Sequence, residues 1–211
     1  MANTIPVNYE LQFEPLFHNF TFKGMEIITI SLSKATDSII LDAAELKIKK
    51  CHVEQGTKII TANASLNEKN ERLTIKLSKK IKGKAKLCIR FTGVLNDRLL
   101  GFYKSQYKDN KGKTKYLATT QFEAADARRA FPCWDEPAVK ATFDVSLLVD
   151  RHHDAISNMP VISKKTVDSK ILYKFGRTPI MSTYLLYLGV GEFEYLHGRL
   201  RNIKIRIVTT K

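Results

Sequence analysis

The sequence is short of the residues that usually declare a small protein's chemistry. Among its 211 residues are three cysteines, one tryptophan, six prolines and five histidines. Cys51, Cys88 and Cys133 leave one thiol over in any pairing and show no CxxC spacing. That argues against a disulfide framework and for a reducing, cytoplasmic compartment. No apolar run reaches the roughly 18 residues that a membrane helix needs. Met1 to Asn8 has neither a basic nor an apolar signal region, so it does not read as a secretion signal. Two Asn-x-Ser/Thr sequons, at Asn19 and Asn63, carry little weight without one. There is no internal repeat, no low-complexity stretch and no Ser/Gly-rich linker, so one domain over residues 1–211 is expected.

What is present in excess is positive charge, with a formal net charge of +14. Its placement is regular. Lys80, Lys82, Lys84, Lys86 and Arg90 alternate with Ile81, Ala85, Leu87, Ile89 and Phe91. Period 2 puts the cations on one face of a strand and the apolar residues on the other. Ile203, Ile205 and Ile207 alternate in the same way with Lys204 and Arg206. A phosphate-binding face would add aromatics that stack on bases, and these faces have none. The cations therefore read as solvated strand faces, with nucleic-acid binding as a lesser alternative.

The same alternation runs through Tyr9–Phe13, Ile28–Leu32, Leu73–Leu77 and Phe143–Leu147. Each is a half-buried strand. Turn signals stand at Lys23-Gly24, Gln55-Gly56, Asn67 to Asn70, Lys82-Gly83 and Asp109 to Gly112. Helical signal is scarce. Residues 124–131 have the composition for about two helical turns before Pro132. Residues 178–188 read as a turn leading into a strand. The fold class is all-β: layered, mostly antiparallel sheets built from a dozen or more short strands.

No catalytic centre assembles from spacing alone. His18, His52, His152, His153 and His197 include no pair at i, i+4, so no HExxH helix exists. His152 and His153 would face opposite ways along a strand and read as solvated or turn histidines. Cys133 has no His or second Cys nearby and reads as a packed core thiol. GxSxG, P-loop and GxGxxG patterns are absent. No metal ligands are assigned within the chain.

One segment is not bland. Thr119 to Phe143 reads TTQFEAADARRAFPCWDEPAVKATF and holds the only tryptophan. It closely resembles the signature TQFEPxxARRAFPCxDEPxxKAxF of the HExxH zinc aminopeptidases, the aminopeptidase N family that includes the archaeal tricorn-interacting factors. Ala124 stands where Pro is commoner. The remainder follows in order: Pro6 to Leu11 is similar to the family's opening strand, Phe22-Lys23-Gly24 to its FxG turn and Gly101-Phe102-Tyr103 to its GFY strand. Ser157 to Pro160 is similar to its SNMP, Thr178 to Leu185 to its TPxMSTYL and Val190 to Glu194 to its next strand. The resemblance implies that residues 1–211 are the N-terminal saddle-like β-domain. The zinc domain, with its GxMEN loop and HExxH, is absent from this chain.

It further implies a role at the active site completed by that second domain. Gln121 would line the pocket for the first side chain, and Glu123 would accept the free α-ammonium of a peptide. In an extended segment both point one way while Phe122 points inward. Asp126, Arg128, Arg129, Trp134, Asp135 and Glu136 would support their loop through crossed ion pairs and apolar anchoring. By this reading the chain alone is not an enzyme and the parent is a zinc-dependent aminopeptidase. No cofactor is held here, since the zinc would lie in the missing domain. The partners would be a catalytic domain in cis or as a separate chain, and the substrate's N-terminus. Self-association through the exposed domain face would also be open, and no membrane partner is implied. The alternative is a stand-alone β binding or scaffold module that pairs with a separate catalytic chain.

Overall fold

The computed structural model describes residues 3–210. Alternating sequence becomes alternating burial almost throughout. The strands are β1 (Thr4–Leu16), β2 (Thr21–Asp42), β3 (Lys47–Gln55), β4 (Lys58–Asn67), β5 (Arg72–Val94), β6 (Gly101–Lys108) and β7 (Thr114–Gln121). They continue as β8 (Thr142–Asp150), β9 (Asp154–Ser157), β10 (Val161–Val167), β11 (Lys170–Phe175), β12 (Leu188–Gly191), β13 (Phe193–Leu200) and β14 (Ile203–Thr210). Eight form one sheet in the order β10-β11-β8-β1-β2-β5-β3-β4, and β6-β7-β12-β9 form a second. β13 and β14 pair only with each other. Among the described residues every strand-to-strand pairing is antiparallel except β1 with β8, and one isolated parallel bridge joins Asn96 to Tyr103. The all-β expectation holds.

The two larger sheets close on a shared aromatic core. Phe13 and Phe22 of the large sheet meet Phe102 of β6 at ring-centroid distances of 5.8 and 5.3 Å. Phe131 completes the cluster, edge-on to Tyr9 at 5.9 Å and to Phe122 at 6.1 Å. These rings are all fully buried. Such edge-to-face contacts add roughly 0.5–1.5 kcal/mol per pair beyond area burial.

Several expectations need correction. The strands are not all short: β2 has 22 residues and β5 has 23. Lys23-Gly24 and Lys82-Gly83 are not turns but lie inside these two strands. Gly24 is there because a Cβ would fall within the Phe91 ring. Gly83, at φ +85°, lets β5 bend where its register with β2 shifts. The Ala/Arg-rich segment forms a single 3-10 turn, Ala127–Arg129, instead of two helical turns. Tertiary demand overrides propensity there, because Phe122 and Phe131 must both reach the core. A second 3-10 turn, Thr183–Leu185, leads into β12 as expected. The lysine face of β5 is solvated over a buried apolar face. In the β13–β14 hairpin the isoleucines are exposed instead, Ile203 at 66 % and Ile207 at 58 %. No helix among the described residues is long and apolar enough to cross a membrane.

Candidate functional site

The signature segment leaves the second sheet at the end of β7. Gln121 is the last residue of that strand and pairs with Gly101. Phe122 turns into the core at 1 % exposure, while Gln121 and Glu123 on either side are exposed. The large apolar ring fixes the phase, and the two polar side chains are turned outward as a consequence. The Glu123–Ala124 peptide is cis. Glu123 makes no ion pair among the described residues.

A few residues further along the segment lies a network of ion pairs. Arg129 reaches three carboxylates: Nε to Asp126 at 2.8 Å, Nη1 to Glu45 at 2.6 Å and Nη2 to Glu71 at 2.9 Å. Arg128 places Nε 3.1 Å from Asp135, and Nη1 3.2 Å from Glu71 and 3.8 Å from Asp42. Burial opposes both guanidinium charges, but the bonded carboxylates outweigh it and hold both groups above their ordinary value. Asp135 is 3 % exposed and fully used: its carboxylate accepts from the backbone N–H and side chain of Arg128 and from the Thr183 hydroxyl. Its own N–H donates to Asp42 Oδ2 at 2.9 Å. Arg72 Nη1 lies 2.8 Å from Asp42 Oδ1, although that oxygen has no aligned hydrogen bond.

The segment is then sewn to the end of β2. Cys133 forms an isolated antiparallel bridge with Asp42, and the Trp134 N–H donates to the buried Tyr9 hydroxyl at 3.3 Å. The Trp134 ring packs, half-buried, on the core. Cys133 is completely buried, and burial followed by the charge of Asp135 pushes its thiol far up, so it stays protonated. Glu136 stands apart, exposed and without an ion pair among the described residues.

Asp126, Arg128, Arg129 and Asp135 are thus brought together, with partners that spacing did not reveal. Asp42, Glu45, Glu71 and Arg72 arrive from β2, β5 and the turns beside them, 57 to 93 residues away where they bond the segment. Glu45 and Glu71 both have positive φ, 58° and 52°, an uncommon conformation for side-chain-bearing residues. Each presents its carboxylate to Arg129, and no local sequence signal marks either one.

His152 is exposed on a turn, as expected, but the reading of His153 beside it needs revision. His153 is buried at 7 % exposure, not solvated. Its ring lies 4.5 Å from Phe17 and 4.0 Å from His152 between centroids, because the chain turns there instead of extending. Burial holds its imidazole down at about 4, so it is neutral at ordinary pH. Two groups could hold a metal, His52/Glu54/Cys88 and His152/His153/Glu192, where spacing had suggested none. Neither is an HExxH centre.

The fold and this segment define the N-terminal β-domain of a peptidase. The chain belongs to the family described as the peptidase M1 N-terminal domain, whose model matches residues 5–185. It is 40 % identical over 210 residues to the puromycin-sensitive aminopeptidase of Caenorhabditis elegans, covering 97 % of this chain and 22 % of that protein. It is 38 % identical over 212 residues to aminopeptidase 2 of Candida albicans, covering 99 % and 22 %. Aminopeptidase M1 of Arabidopsis thaliana is 39 % identical over 210 residues, covering 96 % and 24 %. The chain thus spans about a quarter or less of these relatives.

Proposed function

We propose that this chain is the substrate-anchoring domain of a zinc-dependent aminopeptidase that removes N-terminal residues from peptides. The carrying observation is the exposure of Gln121 and Glu123 on either side of a buried Phe122, on a segment that ion pairs fix a few residues further on. Glu123 is a carboxylate with no partner of its own among the described residues, suited to a charge-assisted bond with a peptide's α-ammonium. A blocked N-terminus would leave that carboxylate unpaired, which selects for free amines. Gln121 lines the pocket for the first side chain. Asp126, Arg128, Arg129, Trp134 and Asp135 hold the segment at the right height, and Glu136 is left out of that role.

The sequence contains no HExxH, so its own residues do not fit the catalytic zinc. That ion belongs to a catalytic domain, joined in cis or supplied as a separate chain, that covers the exposed face. The three free thiols support a reducing, cytoplasmic setting.

The test uses the assembled aminopeptidase carrying Glu123→Gln. KM for aminoacyl-anilides should rise about tenfold, equivalent to about 1.4 kcal/mol, with zinc content unchanged. An unaltered KM would remove Glu123 from substrate binding. The 211-residue chain by itself should hydrolyse none of these substrates. Turnover by that chain alone would overturn the division of labour.

A further inference from the structure

On the outward face of the eight-stranded sheet, strand register sets three metal-ligating side chains side by side. His52 and Glu54 are two residues apart on β3 and share a face. Cys88 of β5 stands directly opposite His52. Opposed residues in an antiparallel pair have Cβ atoms about 4.5–5.5 Å apart, so the imidazole and the thiol are neighbours by construction. His52 Nε2 lies 3.2 Å from Glu54 Oε1, and the three ligand atoms are within 4.8 Å of one another. All three residues line one cavity of about 200 Å³, walled also by Met25, Ile27 and Arg90.

We propose that His52, Glu54 and Cys88 form a binding site for a zinc-class divalent cation, with water completing a four-coordinate shell. One imidazole, one carboxylate and one thiolate make a donor set of the type that tetrahedral zinc takes, with bonds of roughly 2.0–2.3 Å. The thiolate favours zinc over magnesium or calcium, which prefer all-oxygen shells. The three donor atoms, within 4.8 Å of one another, must close by about 1 Å to share one ion at these bond lengths. Lys50 and Arg90 line the same cavity and Lys86 lies opposite Glu54, so the ion must be neutralised by its own ligands. Cys88 and Glu54, both ionised, carry the two negative charges that a divalent ion needs. Ligation requires the Cys88 thiolate, so binding displaces a proton and is favoured as pH rises. The bound ion would clamp β3 to β5 across the sheet. The His152/His153/Glu192 group is the weaker candidate, because Lys115 already occupies Glu192 at 2.6 Å.

The experiment is cobalt titration of the metal-free chain under reducing, anaerobic conditions. A thiolate-to-cobalt charge-transfer band should appear in the near ultraviolet, together with the visible bands of a four-coordinate ion. One equivalent of zinc should abolish both. The charge-transfer band should vanish in Cys88→Ser and persist in Cys51→Ser. Zinc should raise the melting temperature of the parent chain and not that of Cys88→Ser. Should Cys88→Ser fail to fold, His52→Gln and Glu54→Gln take its place, and each should weaken zinc retention. Absence of the charge-transfer band at millimolar cobalt would overturn the site. So would its persistence in Cys88→Ser, or zinc retention unchanged in both substitute variants.

Discussion

Arg128→Ala should destabilise the chain by about 3 kcal/mol, the low end of the 3–5 kcal/mol typical when one partner of a buried charge group is removed. The reason is what stays behind. Asp135 and Asp42 are 3 % and 1 % exposed, and Arg128 is the cation that touches both. Asp135 keeps its bonds from the Arg128 backbone N–H and from Thr183, which satisfy the oxygens but do not neutralise the charge. Asp42 keeps Arg72 at 2.8 Å, and this places the effect at the low end. For a domain of this size the loss corresponds to a melting temperature lower by about 6–12 °C. Arg128→Lys should recover only part of it, because a single ammonium cannot bridge Asp135, Glu71 and Asp42 as the guanidinium fork does. Urea unfolding of the three proteins decides the matter. A loss below about 1 kcal/mol for Arg128→Ala would mean the network behaves as a surface ion-pair cluster.

This network also marks the limit of what the sequence makes legible. The strands were readable because period 2 is a local property, and Tyr9–Phe13, Ile28–Leu32, Leu73–Leu77 and Phe143–Leu147 all lie where alternation puts them. The outward pair Gln121 and Glu123 was readable for the same reason, since the inward pull of Phe122 is a local constraint. Ion-pair partners were not. Glu71 meets Arg128 across 57 residues and Asp42 meets Asp135 across 93, and no local pattern encodes either approach. Cys88 and His52 are likewise joined only by the register of β3 on β5. Glycine misled in a particular way. At Gly24 and Gly83 a turn signal marked instead a ring packed against backbone and a bend within a long strand. Alanine and arginine misled through propensity, where the burial of Phe122 and Phe131 decided the backbone of residues 124–131.

One residue was legible in principle and bears on the second large effect. The phase that buries Ile28, Ile30 and Leu32 also buries position 26, which is glutamate. Glu26 is 0 % exposed and neither carboxylate oxygen has a hydrogen-bond partner among the described residues. Burial alone raises its pKa well above the ordinary 4.5. The groups that sense its charge are Tyr9 and Cys133, both themselves pushed up chiefly by burial, so no cation offsets it there. The linkage sign follows from the raised value. Above 4.5 the unfolded chain loses this proton while the folded chain keeps it, so folding stability falls as pH rises towards the folded pKa. The slope within that window is at most about 1.4 kcal/mol per pH unit. Glu26→Met, similar in volume and free of polar oxygens, should stabilise the chain by about 1–3 kcal/mol at acid pH, the cost of a buried unsatisfied group. Its advantage should widen as pH rises. Glu26→Gln should remove the pH dependence but keep an unpaired amide, so its gain should be confined to alkaline pH. Unfolding free energies at about pH 5 and about pH 9 separate these terms. An equal difference between the parent chain and Glu26→Met at both values would show that Glu26 does not carry a raised pKa in the folded protein.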